Sequence, residues 1–183
     1  MDRAPARQSQ PRCARVCRVR DFVPAFGTLV VLIGPAGSGK TTFTSALDSR
    51  EVVSLDELRA PVTGGNAGDQ GATAEAVQIQ NLLIDARLSR GRTLYLDSTN
   101  VEAQVRAQLA ERARRHGRPL LAIVFTTPLE VCLRRNAERP ANRRVPDDVL
   151  RRQHQLAADT LPGLPGEGFD EIRLCPPVSH SGR

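Results

Sequence analysis

Short apolar runs alternate with longer stretches of helical periodicity along this chain. Thr28–Ile33 and Leu120–Thr126 are almost unbroken in hydrophobicity, as strands covered on both faces are. Glu51–Ser54, Thr93–Asp97 and Glu171–Leu174 read as three further strands. Ile79, Leu82, Leu83 and Ala86 recur at i, i+3, i+4 and i+7, which predicts an amphipathic helix over Thr73–Arg90 closed by Gly91. Asn100 is placed to cap a helix over Val101–His116 that Gly117 ends. A helix from Leu129 to about Glu138 follows the fourth strand, and Pro146 with Asp147 and Asp148 opens another. Pro61–Gly71, rich in glycine, predicts a mobile loop flanking a substrate entrance. Strands alternating with helices imply a parallel sheet with right-handed crossovers.

The length of 183 residues suits one domain with a sound core. Residues 1–27 are expected to form a basic, flexible tail, residues 28–175 the folded domain, and residues 176–183 a frayed end. Cys13, Cys17, Cys132 and Cys175 are scattered, and His116, His154 and His180 share no ligand spacing with them, so neither a disulfide framework nor a zinc site is predicted. Reduced thiols and a cytoplasmic location are expected. No run approaches the roughly 20 apolar residues of a membrane helix, and no secretory signal is evident, so a soluble protein without a membrane partner is expected.

The net charge of +6 is unevenly distributed. Residues 1–20 hold six arginines against Asp2, and residues 112–152 hold eleven arginines against Glu130, Glu138, Asp147 and Asp148. The stretch between them is acidic. Residues 112–152 therefore read as a basic segment on which a polyanion could dock, or as solvated helix faces.

Only one of the 26 basic residues is a lysine. That lysine, Lys40, lies in Gly34-Pro35-Ala36-Gly37-Ser38-Gly39-Lys40-Thr41, the G-x-x-x-x-G-K-[ST] pattern of a phosphate-cradling loop. An apolar strand precedes it, and Lys40–Leu47, including Thr42, can continue as a helix. In that setting backbone N–H groups and a helix N-terminus face an anion, and a compact ammonium suits the β- and γ-phosphates better than a guanidinium fork. ATP is the expected nucleotide, with Thr41 offering a hydroxyl to Mg²⁺.

Asp97 ends the third strand and is a second candidate Mg²⁺ partner, through water or by orienting a neighbour; strand-terminal aspartates also cap loops. Asp56 follows the second strand at its carboxyl end and is the candidate general base for an alcohol attacking the γ-phosphate. Arg59 stands one helical turn on and could grip an anion on the acceptor. The same spacing also fits a plain i,i+3 ion pair worth about 0.2–0.5 kcal/mol. Arg134, Arg135, Arg139, Arg143 and Arg144 crowd around Pro140, which suits a mobile lid closing on phosphates, a polyphosphate-binding patch, or a solvated face.

Four stretches together resemble a known family. Gly34–Thr41, Ser54-Leu55-Asp56-Glu57-Leu58-Arg59, Asp97-Ser98-Thr99-Asn100 and Val131–Arg139 with Arg143-Arg144-Val145-Pro146 are similar, in order from about Leu29 to about Gln155, to the 5′-hydroxyl polynucleotide kinase domain of bacterial and phage RNA-repair enzymes. The resemblance implies an α/β, P-loop kinase-like parallel five-stranded sheet with helices on both faces and an Arg-rich lid. It implies ATP and Mg²⁺ as cofactors, Asp56 as general base, Arg59 on the acceptor's phosphate, and Asp97 supporting the site. Arg135 and Arg139, with Arg143 as a third, would close on the ATP phosphates. Leu55 departs from the serine many relatives carry, and the lid has an extra residue near Pro140. Within these 183 residues there is no phosphatase or ligase module of the kind the repair enzymes carry. Phosphoryl transfer to the 5′-OH of a polynucleotide is the expected activity. Transfer to a nucleoside, sugar, antibiotic or peptidoglycan precursor, and a nucleotide-gated nucleic-acid-binding module without transfer, are the alternatives.

Overall fold

The computed structural model describes residues 23–177, so the expectations for residues 1–22 and 178–183, including Cys13, Cys17 and His180, lie outside the described residues. Five strands, β1 (Leu29–Ile33), β2 (Val52–Ser54), β3 (Leu94–Asp97), β4 (Leu120–Phe125) and β5 (Glu171–Cys175), form one sheet in the order β2-β3-β1-β4-β5. Every pairing is parallel. β1 occupies the middle, and all five of its side chains are fully buried.

Alternation along the strands divides the core. Leu29, Val31 and Ile33 face one layer, packed against Ile84 and Leu88 of α3 (Thr73–Leu88) and Leu109 and Ala113 of α4 (Ala103–Arg115). Val30 and Leu32 face the other, against Phe43 of α1 (Lys40–Thr44), Tyr95 and Phe125. Helices therefore cover both faces, and each such leucine or isoleucine contributes about 1.5–3 kcal/mol by leaving water. A smaller cluster of Ala36, Cys132 and Leu150 joins the P-loop to α5 (Leu129–Ala137) and α6 (Asp147–Thr160).

Local expectations fail where tertiary packing intervenes. The predicted loop at Pro61 is instead the end of α2 (Leu55–Thr63), with Pro61 inside the helix. Proline has no N–H to return to the Glu57 carbonyl, so the helix forgoes one backbone hydrogen bond there; it ends at Thr63, where Gly64 in the left-handed region donates its N–H to the Ala60 carbonyl. On α3 the buried positions are Ala76, Gln80, Ile84 and Leu88, while Leu82 is 70% exposed. The face read from Ile79, Leu82, Leu83 and Ala86 is thus rotated. Asn100 does not cap α4, whose N-cap is Glu102. Buried Asn100 instead donates from Nδ2 to the Leu32 carbonyl at 2.8 Å and to that of Ser98 at 3.2 Å, stitching β1 to the loop after β3. α1 ends at Thr44 rather than Leu47.

Candidate active site

The P-loop leaves the carboxyl end of β1 and is bracketed from three sides. Gly34 N–H donates to the Thr99 carbonyl at 3.0 Å, Thr127 Oγ1 donates to the Ser38 carbonyl at 2.7 Å, and Ala36 N–H donates to Gln153 Oε1 of α6 at 3.0 Å. Gly37 has φ +75°, and a Cβ there would stand 2.6 Å from the Cys132 carbonyl oxygen of α5. Only glycine permits both that backbone conformation and that approach. Buried Lys40 donates from Nζ to the carbonyls of Gly34 and Pro35, both at 2.8 Å. Burial pushes its ammonium down to about 8, with Arg139 pushing the same way and Asp97 opposing. An anion arriving beside Lys40 would favour the charged form further and raise that value.

Pairing of Ser54 with Asp97 in the β2–β3 register sets the two acidic segments side by side. Asp97 is buried, and its Oδ2 accepts from Thr44 Oγ1 at 3.1 Å. Thr44 was not legible as a site residue, although it lies one helical turn beyond Thr41. Asp56 sits in the first turn of α2, where Ser54 Oγ caps the Glu57 N–H and the positive helix end favours a carboxylate. Its side chain is 70% exposed, and Oδ1 accepts from Arg59 Nη1 at 2.6 Å. Arg59 is buried and also donates from Nε to Thr73 Oγ1 at 3.2 Å. The ion pair therefore exists, and both of its members border a cavity.

The Arg-rich loop is anchored at its base. Asn136 is fully buried; its Nδ2 donates to the Val145 carbonyl at 2.7 Å and its Oδ1 accepts the Val145 N–H at 3.1 Å. Arg144 turns back onto the carbonyls of Ala137 and Arg139, so it braces the loop's own backbone. Arg135 donates from Nη1 to the Gly37 carbonyl at 3.2 Å. The lid expected from the arginine cluster therefore springs from a base hydrogen-bonded through Asn136 and Arg144. A 3₁₀ turn over Ala141–Arg143 follows Pro140.

Two cavities adjoin at the carboxyl edge of the sheet. One, of about 200 Å³, is lined by Gly37, Gly39, Thr42 and Arg135. The other, of about 170 Å³, is lined by Asp56, Arg59, Asp97, Arg143 and Gln153 among others. Lys40, Thr41 and Arg139 border both. All sequence-predicted site residues except Gly34, Pro35 and Ser38 thus face these cavities, and those three shape the loop behind them. Gln153 was missed by the sequence reading. Thr41 hydroxyl and Asp97 carboxylate are hard oxygen donors on a phosphate site, a set that fits Mg²⁺; no cluster of three or more His, Cys, Asp or Glu suited to a metal occurs among the described residues.

The basic segment over residues 112–152 does not form one track. Arg112 pairs with Asp85, and Arg114 with Glu111; Arg118 donates from Nε to the Leu88 carbonyl at 3.0 Å. These lie where α4 ends and β4 begins, at the amino edge of the sheet, across it from Arg135 and Arg139. The polyanion-docking segment read from sequence is therefore split in two.

An AAA domain family matches residues 29–163. The chain belongs to this family. Among solved structures, the complex of AvrRxo1-ORF1 with AvrRxo1-ORF2, obtained with sulphate ions, aligns with a TM-score of 0.66 at 16% identity over 82% of this chain and 55% of that one. A protein of Chloroflexus aurantiacus j-10-fl carrying a provisional kinase assignment aligns with a TM-score of 0.62 at 16% identity, over 81% and 87% of the two chains. A chain of the Pnkp1/Rnl/Hen1 complex aligns with a TM-score of 0.52 at 21% identity, over 63% of this AAA domain chain and 40% of that one. The chain thus spans about half of the first of these and less of the last. No curated protein sequence matches it. These likenesses establish a P-loop kinase-like fold for the AAA domain, and no described helix is long and apolar enough to cross a membrane.

Proposed function

We propose that this AAA domain transfers the γ-phosphoryl group of ATP to an alcohol, with the 5′-hydroxyl end of a polynucleotide as acceptor. The observation that carries the reading is the shared border: Lys40, Thr41 and Arg139 lie between a cavity walled by the P-loop and a cavity that opens onto the Asp56 carboxylate. In this arrangement the acceptor O–H passes its proton to Asp56 as the oxygen attacks the γ-phosphorus in line, and the bond to the ADP oxygen breaks. Lys40 and Arg139 hold the charge that spreads over the equatorial oxygens, while Arg135 and Arg143 flank them. Thr41 and Asp97 would hold Mg²⁺, which when bound supplies neutralisation of phosphate charge. Buried Arg59, held by Asp56 and Thr73, orients the base and in this reading contacts a phosphate on the acceptor.

A second reading, a small hydroxylated acceptor, draws support from the acceptor cavity. None of its lining residues is aromatic, so it offers no stacking platform for bases. Gly68, which lines this cavity, lies so close to Asn142 of the lid that any Cβ there would collide with the Asn142 carbonyl. The test is incubation with γ-labelled ATP and, separately, a 5′-hydroxyl oligonucleotide, a nucleoside and a sugar. The expected result is label at the oligonucleotide 5′ end that vanishes in Asp56→Ala. Label on a nucleoside or sugar alone selects the second reading, and ATP binding without transfer to any of them overturns both.

A further inference from the structure

Helix α6 turns a stripe of residues toward the P-loop. Leu150 is fully buried against Ala36 and Cys132, His154 Nε2 lies 3.2 Å from the Thr127 carbonyl, and Ala157 is buried one turn on. Gln153 belongs to this stripe and is its uncharged polar member at the cavity wall. The chemistry of its single protein hydrogen bond fixes which way the amide points. The Ala36 backbone N–H can only donate, so the atom 3.0 Å from it must be the carbonyl oxygen Oε1, and the Nε2 amino group is directed elsewhere. Among the described residues Nε2 has no protein hydrogen-bond partner, yet it is not sealed from solvent, since the only buried side-chain nitrogen or oxygen without a partner is Arg87 Nη1. Gln153 lines the acceptor cavity together with Asp56, Arg59 and Arg143, and does not line the cavity of Gly37, Gly39 and Arg135.

We infer that Gln153 is a specificity-determining residue, whose Nε2 donates a hydrogen bond to an oxygen of the acceptor beside the attacked hydroxyl. Its carbonyl, tied to the P-loop, holds that donor at a fixed position relative to the transferring phosphoryl group. The inference rests on the phosphotransfer reading for the identity of the cavity, but not for its test. A donor with two N–H groups, anchored on a helix rather than a loop, favours an acceptor bearing several neighbouring oxygens, as a ribose 3′-phosphate does.

Two variants separate acceptor recognition from support of the P-loop. Gln153→Glu keeps an oxygen for the Ala36 N–H and replaces the donor with a negative charge, whereas Gln153→Met removes both functions at nearly constant shape. The probes are a non-hydrolysable ATP analogue and, in its presence, a nucleoside 3′-monophosphate, with Kd measured by calorimetry on the whole chain. The expected result is that both variants weaken the nucleoside 3′-monophosphate tenfold or more, Gln153→Glu most, while the ATP analogue shifts less than threefold in Gln153→Glu. A merely structural role predicts the reverse: Gln153→Glu leaves the acceptor Kd unchanged and Gln153→Met weakens the ATP analogue, and that outcome overturns the inference. Failure of wild-type protein to bind the nucleoside 3′-monophosphate also overturns it. Because binding is read without turnover, a wild type that binds both probes but transfers nothing removes the kinase reading and leaves the role of Gln153 to be decided by the two variants.

Discussion

Two arginine-rich stretches, one at each edge of the sheet, have nearly the same composition and opposite circumstances. At the amino edge, Arg112 and Arg114 are matched with Asp85 and Glu111, and Arg118 with a main-chain carbonyl. At the carboxyl edge, no carboxylate is paired with Arg135, Arg139 or Arg143 among the described ion pairs, and all three border a cavity. Cations held near one another without counter-charges repel, so their cost is recovered only when an anion arrives. Arginine content alone does not separate the two stretches; what separates them is that the arginines of the carboxyl edge stand beside the P-loop cavities without a carboxylate partner.

The sharpest way to break this contrast is to remove the arginine that borders both cavities. Arg139→Ala is expected to lower kcat by about 10²-fold or more, since an arginine meeting the transferring phosphoryl group is commonly worth at least that much. The Kd for ATP should change far less, because the P-loop amides and Lys40 remain. Steady-state kinetics with the preferred acceptor, alongside equilibrium nucleotide binding, gives both numbers. A loss confined to ATP affinity would reassign Arg139 to ground-state binding.

What could be read from the sequence alone follows the reach of each interaction. Gly34–Thr41 and the strand before it are local, so the loop and the sheet were legible from spacing and hydrophobicity. The meeting of Asp56, Arg59 and Asp97 at one cavity was legible because the P-loop points to the carboxyl edge of a parallel sheet as the place where ligands bind. The inward face of α3 was not, because Gln80 takes a buried position and satisfies itself on Ser98 Oγ at 3.3 Å, so a polar residue interrupts the apolar repeat. Nor was the clamp of Asn136 on Val145, the bracket of Asn100 or the approach of Gln153 to Ala36, each of which joins segments whose meeting no local pattern encodes. Arg106 shows the same limit: nothing in its sequence neighbourhood announces a fully buried guanidinium held by Glu167 at 2.6 and 2.7 Å.

The next prediction uses Lys40 as a reporter of the carboxyl-edge field. Its ammonium titrates at about 8, below the ordinary 10.5, first because it is buried and in part because Arg139 is close. A lysine with a lowered folded-state value is fully charged below that value and loses its charge as the pH rises through it, so phosphate affinity is complete below about 8 and declines above. The Kd for ATP should be flat from pH 6.5 to 7.5 and then weaken toward tenfold per pH unit, the limit for loss of one required proton. In Arg139→Ala one of the lowering influences is gone, and the break should move to higher pH. An unchanged break would show that the lid arginine does not act on Lys40. For folding the sign is opposite: the charged amine costs stability below about 8, and that cost fades between there and 10.5 as the folded protein releases the proton before the unfolded chain does.

The smallest effect is expected at the opposite edge. Arg112→Ala and Arg114→Ala remove partly exposed partners of Asp85 and Glu111, pairs of a kind worth about 0–1 kcal/mol. Asp85 keeps His116, whose Nε2 lies 3.2 Å from Oδ1, so even the first of these leaves no isolated carboxylate. Neither variant should alter kcat, the Kd for ATP or the affinity for an oligonucleotide at fixed salt, and thermal unfolding should shift by only a few degrees. The informative quantity is the dependence of oligonucleotide affinity on salt, because each phosphate that the protein no longer neutralises reduces the slope of log K against log[salt] by about 0.7 for a single strand. An unchanged slope in the double variant excludes Arg112 and Arg114 from polyanion binding. A reduced slope would mean that a strand bound at the active site also reaches around the sheet to these arginines, and the division between a paired edge and a functional edge would have to be given up.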